Sequence, residues 1–560
     1  MKKDKKALVS AVLLWSKDTP YTPAEFAETL RGILDQYYSD KEIIVVDGSG
    51  KKPAKPYLAK LGAQGKKVKV IGGDFANRAA MFNAGIKEAK GNFILLVDSM
   101  EKAIAFRKSA FDTFMITAER NPEAGMIYSD YERISPDGAK SEVHLLPWHP
   151  GRLRDAVDFG KCLFFAAKSL RRMKGLKAKY NAADLYDLRL RASEEGDLVC
   201  IANRFNGSLY SVKELAAGHD VFYYLKAGKS VQLEMEQACT EHLTNIGAWL
   251  APGINYKPVK YSKDEEKAFG CLFSVIIPVF NRPEFICQAI ESVQAQTLKK
   301  KVEIIVVCNG GEKDLTCEAV RQYMKGGKKF DGKKPAVSLI VTDINNLGLC
   351  FNLGLKQARG KFYLQLDSDD QLTPDAAEKV LAVYESDPTI GMVIGSYEVW
   401  EKKPSGELFR REDIPVVTHD EWTEENGRNN LLRINGAGAP RSADIKVIKT
   451  VGWFGTNDEP YCRNYGEDYD LVNRIIEHYR MGRVWEPIYK VIRHSGGTDH
   501  NIDQHTIDLN DNAKDHMRLL ALCRRQEISM VCDMKACEEA EACRKKAKKA
   551  PKKSAKKSKK

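Results

Sequence analysis

The sequence predicts an α/β protein: two tandem Rossmann-like domains on mainly parallel sheets, a helical C-terminal extension and a disordered basic tail. Three observations predict it. A block occurs twice: Phe82-Asn83-Ala84-Gly85 precedes Val97-Asp98-Ser99-Met100, and Phe351-Asn352-Leu353-Gly354 precedes Leu366-Asp367-Ser368-Asp369-Asp370, with the Phe 16 residues ahead of the first Asp in both. Each copy opens on a short apolar strand, at 8–14 and 273–280. Each then shows a helical pattern and a β-branched strand, at 42–47 and 303–308. Near-continuous apolar strands alternating with amphipathic helices indicate a parallel sheet covered on both faces. A repeat this long is a duplicated domain rather than a solenoid unit.

In chain order the expectation is a first domain at 1–215 and a connector at 216–268, partly helical over 231–250. A second domain follows at 269–502. A helical extension at 503–543 has apolar positions such as Met517, Leu520, Ile528 and Val531, and a Lys-rich tail occupies 544–560. A chain of 560 residues is too long for one core, which agrees with this division. Ligands of doubly wound sheets bind beyond the carboxyl ends of the strands, where Asp47, Asp98, Asn309 and Asp367 fall.

The bulk properties exclude several classes. No apolar run approaches the roughly 20 residues of a membrane span, and the basic start leads directly into a strand, so a cytoplasmic protein is expected. The 13 cysteines are scattered without metal-ligand spacing, as expected of reduced, mostly buried thiols. Eleven of the twelve net positive charges lie in 544–560, so the remainder is near neutral and offers no general nucleic-acid surface.

Three features of the second copy carry chemistry. Asp367-Ser368-Asp369-Asp370 ends a buried strand, where clustered carboxylates are costly without a cation. Hard oxygen donors there suit Mg²⁺ or Mn²⁺ shared with phosphate, although such residues also cap turns. Gly466-Glu467-Asp468-Tyr469-Asp470 opens a helix, where a carboxylate either caps the free N–H groups or is held ionised as a general base. His494 follows a strand-like segment and is a metal ligand or a structural histidine.

In this order the residues resemble family 2 glycosyltransferases of the GT-A fold. The matching marks are Ile276-Ile277-Pro278-Val279-Phe280-Asn281-Arg282, Asn309-Gly310-Gly311, Asn346-Leu347-Gly348, the Asp367/Asp369 pair, Glu467-Asp468 and His494. The resemblance implies inverting transfer from a nucleotide-sugar donor to a glycan or lipid-linked acceptor hydroxyl. Pro278, Phe280, Asn281, Arg282, Asn309, Asn346, Asp367 and Ser368 would line the nucleotide-sugar pocket. Asp367, Asp369 and His494 would hold Mn²⁺ or Mg²⁺, with Asp468 as base and Glu467 orienting. Many relatives carry an acidic pair where this chain has Cys308-Asn309, which leaves the nucleotide base open. A processive-synthase Gln-x-x-Arg-Trp motif is absent, and specificity is expected in 416–440.

The first copy has lost this set. Met100 stands in the place of Asp369, Leu185 in that of Asp468, and Leu215 near that of His494. An inactive scaffold or acceptor platform is expected, against a metal-independent transferase using Asp98, Glu101 or Asp184. The arrangement resembles two-module bacterial glycosyltransferases of surface-polysaccharide assembly, through Tyr128-Ser129-Asp130 and the connector Glu241-His242-Leu243, which would then be packed rather than loose. For the tail, solvation competes with contact to anionic lipid at the inner face of a membrane, and no specific nucleic acid is implied. Rival readings are a bifunctional enzyme, a non-catalytic nucleotide- or carbohydrate-binding protein and a nucleotidyltransferase. The last usually has a Gly-rich loop where this chain reads Asn281-Arg282-Pro283.

Overall fold

The computed structural model describes residues 7–203, 207–214, 228–298, 301–403, 405–421, 423, 426–436, 438–456, 465–494 and 503–549, with side chains of the last helix as far as Met530. In the first domain seven strands run in the order Leu198–Ile201, Met126–Ser129, Cys162–Ala166, Phe93–Val97, Val9–Trp15, Lys41–Asp47, Val68–Gly72. The second repeats that order with Arg480–Arg493, Ile390–Lys402, Arg441–Asp444, Gly360–Gln365, Cys271–Val279, Val302–Cys308, Ala336–Val341. In both, four neighbouring strands are parallel and the next is antiparallel. One difference separates the copies. Ile390–Lys402 and Arg480–Arg493 stay paired along their length, whereas the first copy breaks each in two and forms a separate four-stranded sheet with Tyr131–Ile134 and Tyr210–Lys213.

The repeated Phe-Asn-x-Gly has a packing cause. A Cβ on Gly85 would lie 2.3 Å from Val12, and one on Gly354 2.7 Å from Ile276, so only glycine lets each helix lie this close to the central strand. The Asn ties that helix to a later loop: Asn352 Nδ2 donates to the Phe454 carbonyl (2.9 Å) and Oδ1 accepts its N–H (3.0 Å). Asn83 does the same with Leu176. Phe82 and Phe351 are fully buried. Phe273, Val275, Ile277 and Val279 fill the core on one face of the second sheet, and Ile276 the core on the other.

The connector packs through the helix Lys229–Asn245. Glu234 accepts from the N–H groups of Asn181, Ala182 and Ala183, and His242 meets Glu194 at 2.7 Å. Asn429 holds both the N–H and the carbonyl of Leu250. The C-terminal extension is one helix, Gln504–Lys549, which runs into the stretch expected to be disordered; its Arg, Lys and Ala residues are strong helix formers. Its inward face also differs from the expectation. Leu520 is 42% exposed, whereas Asp515, Arg518 and Arg525 are fully buried. Asp515 is gripped by Arg152 (2.7 Å) and Arg154 (3.1 Å) of the first domain and by Arg518 (2.6 Å) of its own helix. Arg524 pairs with Glu477 of the second domain (2.9 Å). Met517 packs against the core of the second domain and Ala521 and Leu522 join an apolar cluster, so the buried face mixes apolar contacts with ion pairs that apolar periodicity does not record. Residues 216–227 of the connector and 550–560 of the tail lie outside the described residues.

Candidate functional site

The strand Gly360–Gln365 delivers Asp367 to the rim of the sheet. The Asp367 N–H donates to the Tyr489 hydroxyl (3.1 Å), and Gln365 Nε2 donates to Asp367 Oδ1 (3.1 Å). Burial raises the Asp367 carboxyl above the usual range against the pull of Arg441. Ser368 is buried beside it. Asp369 faces two cationic or ligating groups: the Arg282 guanidinium pairs with it, and His494 Nε2 lies 3.0 Å from its Oδ2. Phe285 stacks on the His494 ring at 4.3 Å. Asp370 Oδ1 accepts the Ile492 N–H (2.8 Å); burial, then the charges of Asp367 and Asp369, push its carboxyl well above the usual range. It ties the Arg480–Arg493 strand to the acidic turn.

Helix Glu467–Ile476 starts after Gly466, whose φ is 88°. Asp468 Oδ2 lies 2.8 Å from Arg441 Nη2. Burial works against its ionisation, but Arg441 and then Lys514 outweigh it and hold Asp468 below the usual carboxylate range. Glu467 is buried with Oε2 unpartnered; burial first, then the Asp468 charge, pushes it up to about 8. One site thus holds a carboxylate kept ionised and a neighbour kept protonated at neutral pH.

Of the expected nucleotide residues, Pro278 is buried in its strand and Phe280 is 51% exposed at its end. Asn281 has a φ of 48° and its N–H donates to Asp314 Oδ2 (2.7 Å). Asn309 is buried; Nδ2 donates to Asn345 (3.1 Å) while Oδ1 has no hydrogen-bond partner. Asn346 is committed inside the protein: Oδ1 caps the Leu349 N–H (2.8 Å) and Nδ2 donates to the Thr456 carbonyl (2.8 Å). Asn77 does both at the same place in the first copy, so this capping role belongs to the fold of both domains. Asp314, six residues beyond Cys308, lies against this strand end and accepts from Cys308 Sγ (3.3 Å).

Sequence reasoning missed Arg441, Gln365, Tyr489, Asp314 and Lys514. Asp314 alone carried a local signal, an Asp two residues ahead of Thr316, whose N–H it caps (2.8 Å). Asp369 and His494 present a carboxylate and an imidazole 3.0 Å apart. Among the described residues no group of three His, Cys, Asp or Glu side chains is spaced to hold a metal. The expected set of Asp367, Asp369 and His494 is therefore not brought to three-ligand spacing, and of the three the structure pairs only Asp369 with His494. Residues 457–464 and 495–502 lie outside the described residues.

In the first copy the helix alignment is fixed by matching ion pairs. Arg191 joins Asp187 to the carbonyls of Met173 and Gly175, as Arg474 joins Asp470 to those of Val451 and Trp453. Leu185 then stands in the place of Asp468, Leu163 in that of Arg441 and Asp184 in that of Glu467. Leu215 lies outside the described residues. Arg78, in the place of Leu347, reaches both surviving acids: Asp184 at 2.5 Å and Asp98 at 3.5 Å, with Lys161 3.3 Å from Asp98. Two internal cations thus neutralise Asp98.

The Glycosyl transferase family 2 model matches residues 22–99 and 274–435, one stretch in each copy. An O-antigen biosynthesis protein of Myxococcus xanthus is 22% identical over 65% of this chain and 28% of its own length. An uncharacterised glycosyltransferase of Rickettsia felis is 24% identical over 90% of this chain and 83% of its own. Among solved structures, S. aureus TarS residues 1–349 align at 18% identity over 40% of this chain and 60% of that one, with a TM-score of 0.31. The chain thus carries two stretches that match the Glycosyl transferase family 2 model, one in each of its repeated domains.

Proposed function

We propose that the second domain transfers a sugar, with inversion, from a nucleotide-sugar donor to a hydroxyl of a glycan or lipid-linked acceptor in polysaccharide synthesis. One observation carries this reading: an unbroken chain of polar contacts joins the acidic turn to the base. Asp367 accepts from Gln365 (3.1 Å), Gln365 accepts from Arg441 (3.2 Å), and Arg441 pairs with Asp468 (2.8 Å). Donor and acceptor ends of the site are therefore held in one geometry, which is the positioning that a displacement reaction needs.

Asp468, ionised, takes the proton as the acceptor oxygen bonds to the anomeric carbon and the bond to the diphosphate breaks. Glu467 sits beneath it and orients the pair. Arg282, beside Asp369, meets the donor phosphates. Phe280 offers an exposed ring, and Asn309 an unpartnered oxygen, to the nucleotide base. Asp367 and Ser368 line the ribose side. Asp369 and His494 would hold Mn²⁺ or Mg²⁺, which would supply positive charge to offset that developing on the leaving diphosphate. Names among the relatives support the polymer context: the O-antigen protein, and a Pasteurella multocida chondroitin synthase 31% identical over 22% of this chain and 12% of its own.

The first domain acts as a scaffold or acceptor platform, since Arg78 and Lys161 already compensate its Asp98. No described helix is long and apolar enough to cross a membrane. We assign the protein to the cytoplasm, with the Lys-rich tail bringing it to anionic lipid at the inner face of the membrane, each basic residue contributing about 1 kcal/mol. Deleting 544–560 should abolish sedimentation with anionic liposomes at low salt; unchanged sedimentation removes this role. The function itself is tested by a nucleotide-sugar panel with Mn²⁺, reading released nucleoside diphosphate on wild type and Asp468→Asn. Donor-specific release that depends on Asp468 and is lost with chelator is expected. Release that survives the substitution moves the chemistry to the first domain.

A further inference from the structure

The C-terminal helix lies directly on the start of the helix that carries Glu467 and Asp468. A Cβ on Gly466 would stand 2.9 Å from Met517 and 3.5 Å from the Lys514 stem. Lys514 is buried here; its Nζ donates to the Asn435 carbonyl (2.6 Å) and sits over the Tyr465 ring at 4.3 Å. The charged groups that bear on Lys514 are Asp468 and Glu467 from the helix below, Arg441 from the strand alongside and Arg518 from its own helix. The next residue, Asp515, is the one clamped by Arg152 and Arg154 of the first domain.

We propose that Lys514 is a positioning residue for Asp468, and that the first domain sets it in place through the Arg152–Asp515–Arg154 clamp. The proposal rests on Asp468 being the base. It gives the first copy a part in catalysis without a site of its own: its two arginines fix the depth at which the helix sits, and the lysine fixed with it keeps positive charge beside the base. Two facts from independent elements support it. Gly151 of the first domain admits the helix only because it lacks a side chain, a Cβ there falling 2.1 Å from the Asp515 carbonyl oxygen. On the opposite side Gly466 is the sole residue type that tolerates both its φ of 88° and the contact with Met517. Burial lowers the Lys514 ammonium to about 8, so it carries its charge at neutral pH with little to spare.

The test uses the full chain with Lys514→Met, Lys514→Arg and Arg154→Gln, and with Asp468→Asn beside them. Lys514→Met should lower kcat about tenfold at neutral pH with donor KM within twofold, and should move the acid limb of the kcat profile to higher pH. Lys514→Arg should recover most of kcat. Arg154→Gln, although remote from the site, should give the same pattern in weaker form. A Lys514→Met profile that superimposes on wild type while Asp468→Asn is inactive overturns this inference alone. A loss uniform in pH, accompanied by a lower melting temperature and not rescued by arginine, also overturns it, because that is the signature of packing. An active Asp468→Asn overturns both this inference and the assignment of the base.

Discussion

Arg441 Nη2 lies 2.8 Å from Asp468 Oδ2, and the same guanidinium donates through Nε to Gln365 (3.2 Å). This arginine therefore does two things. It holds the Asp468 carboxyl below its usual range against the opposing effect of burial, and it spans the space between the acidic turn and the helix terminus. In the first copy leucine replaces both partners. The pair has been lost together, as expected if neither member is tolerated alone.

Replacing Asp468 by asparagine removes the acceptor of the proton and leaves the fold's shape unchanged. Turnover should fall by about 100- to 10,000-fold. Glu467→Gln should cost less, since glutamine resembles the protonated carboxyl at this position. Released nucleoside diphosphate measures both, and Asp468→Asn activity within about threefold of wild type refutes the assignment.

Glu467 makes stability depend on pH in a defined direction. Its ordinary value of 4.5 is pushed up to about 8, so between these the folded chain holds a proton that the unfolded chain has released. Stability should fall as pH rises through that window, being fully present below it. Melting temperatures at pH 5, 6.5 and 8 should decline more steeply for wild type than for Glu467→Gln. Equal slopes would contradict the raised carboxyl.

Arg78→Leu gives the first domain the residue that the second has at that place. Asp184, fully buried, loses its ion pair, and Asp98 keeps only Lys161. An uncompensated buried carboxylate costs about 3 kcal/mol, which a denaturant titration should register in the first domain. Donor turnover, read at the native state, should stay within about twofold of wild type.

Asp369→Asn and His494→Ala should each raise the Mn²⁺ concentration for half-maximal activity by about tenfold, the scale of losing one ligand or its close support. Excess chelator should stop turnover and added Mn²⁺ restore it. An unchanged metal requirement in both variants would remove them from the metal site.

Much of this was legible because it is written in short range. Phe351-Asn352-Leu353-Gly354 announces a helix pressed on a strand, and the repeat at Phe82 shows the same packing twice. The acidic turn and the Gly466-Glu467-Asp468 helix start were visible for the same reason. The capping role of Asn346 went unread because a cap residue and a ligand contact look alike in sequence. The burial of Asp515, Arg518 and Arg525 in the C-terminal helix, beside Ala521 and Leu522, was not foreseen, because a search for apolar spacing passes over charges that pair with distant partners.

The sequence by itself determined the duplicated α/β architecture, the strand ends that bear chemistry and the loss of the acidic set from the first copy. Side-chain periodicity, glycine at close approaches and capping residues act within a few positions of one another, so they can be read along the chain. Only the tertiary structure decided that Arg441 meets Asp468, that Arg78 takes over the acids of the first copy, and that Lys514 is set beside the second site by arginines more than 350 residues earlier. Those pairings depend on how elements cross in space. Electrostatic contact is indifferent to sequence separation, so no local pattern records it.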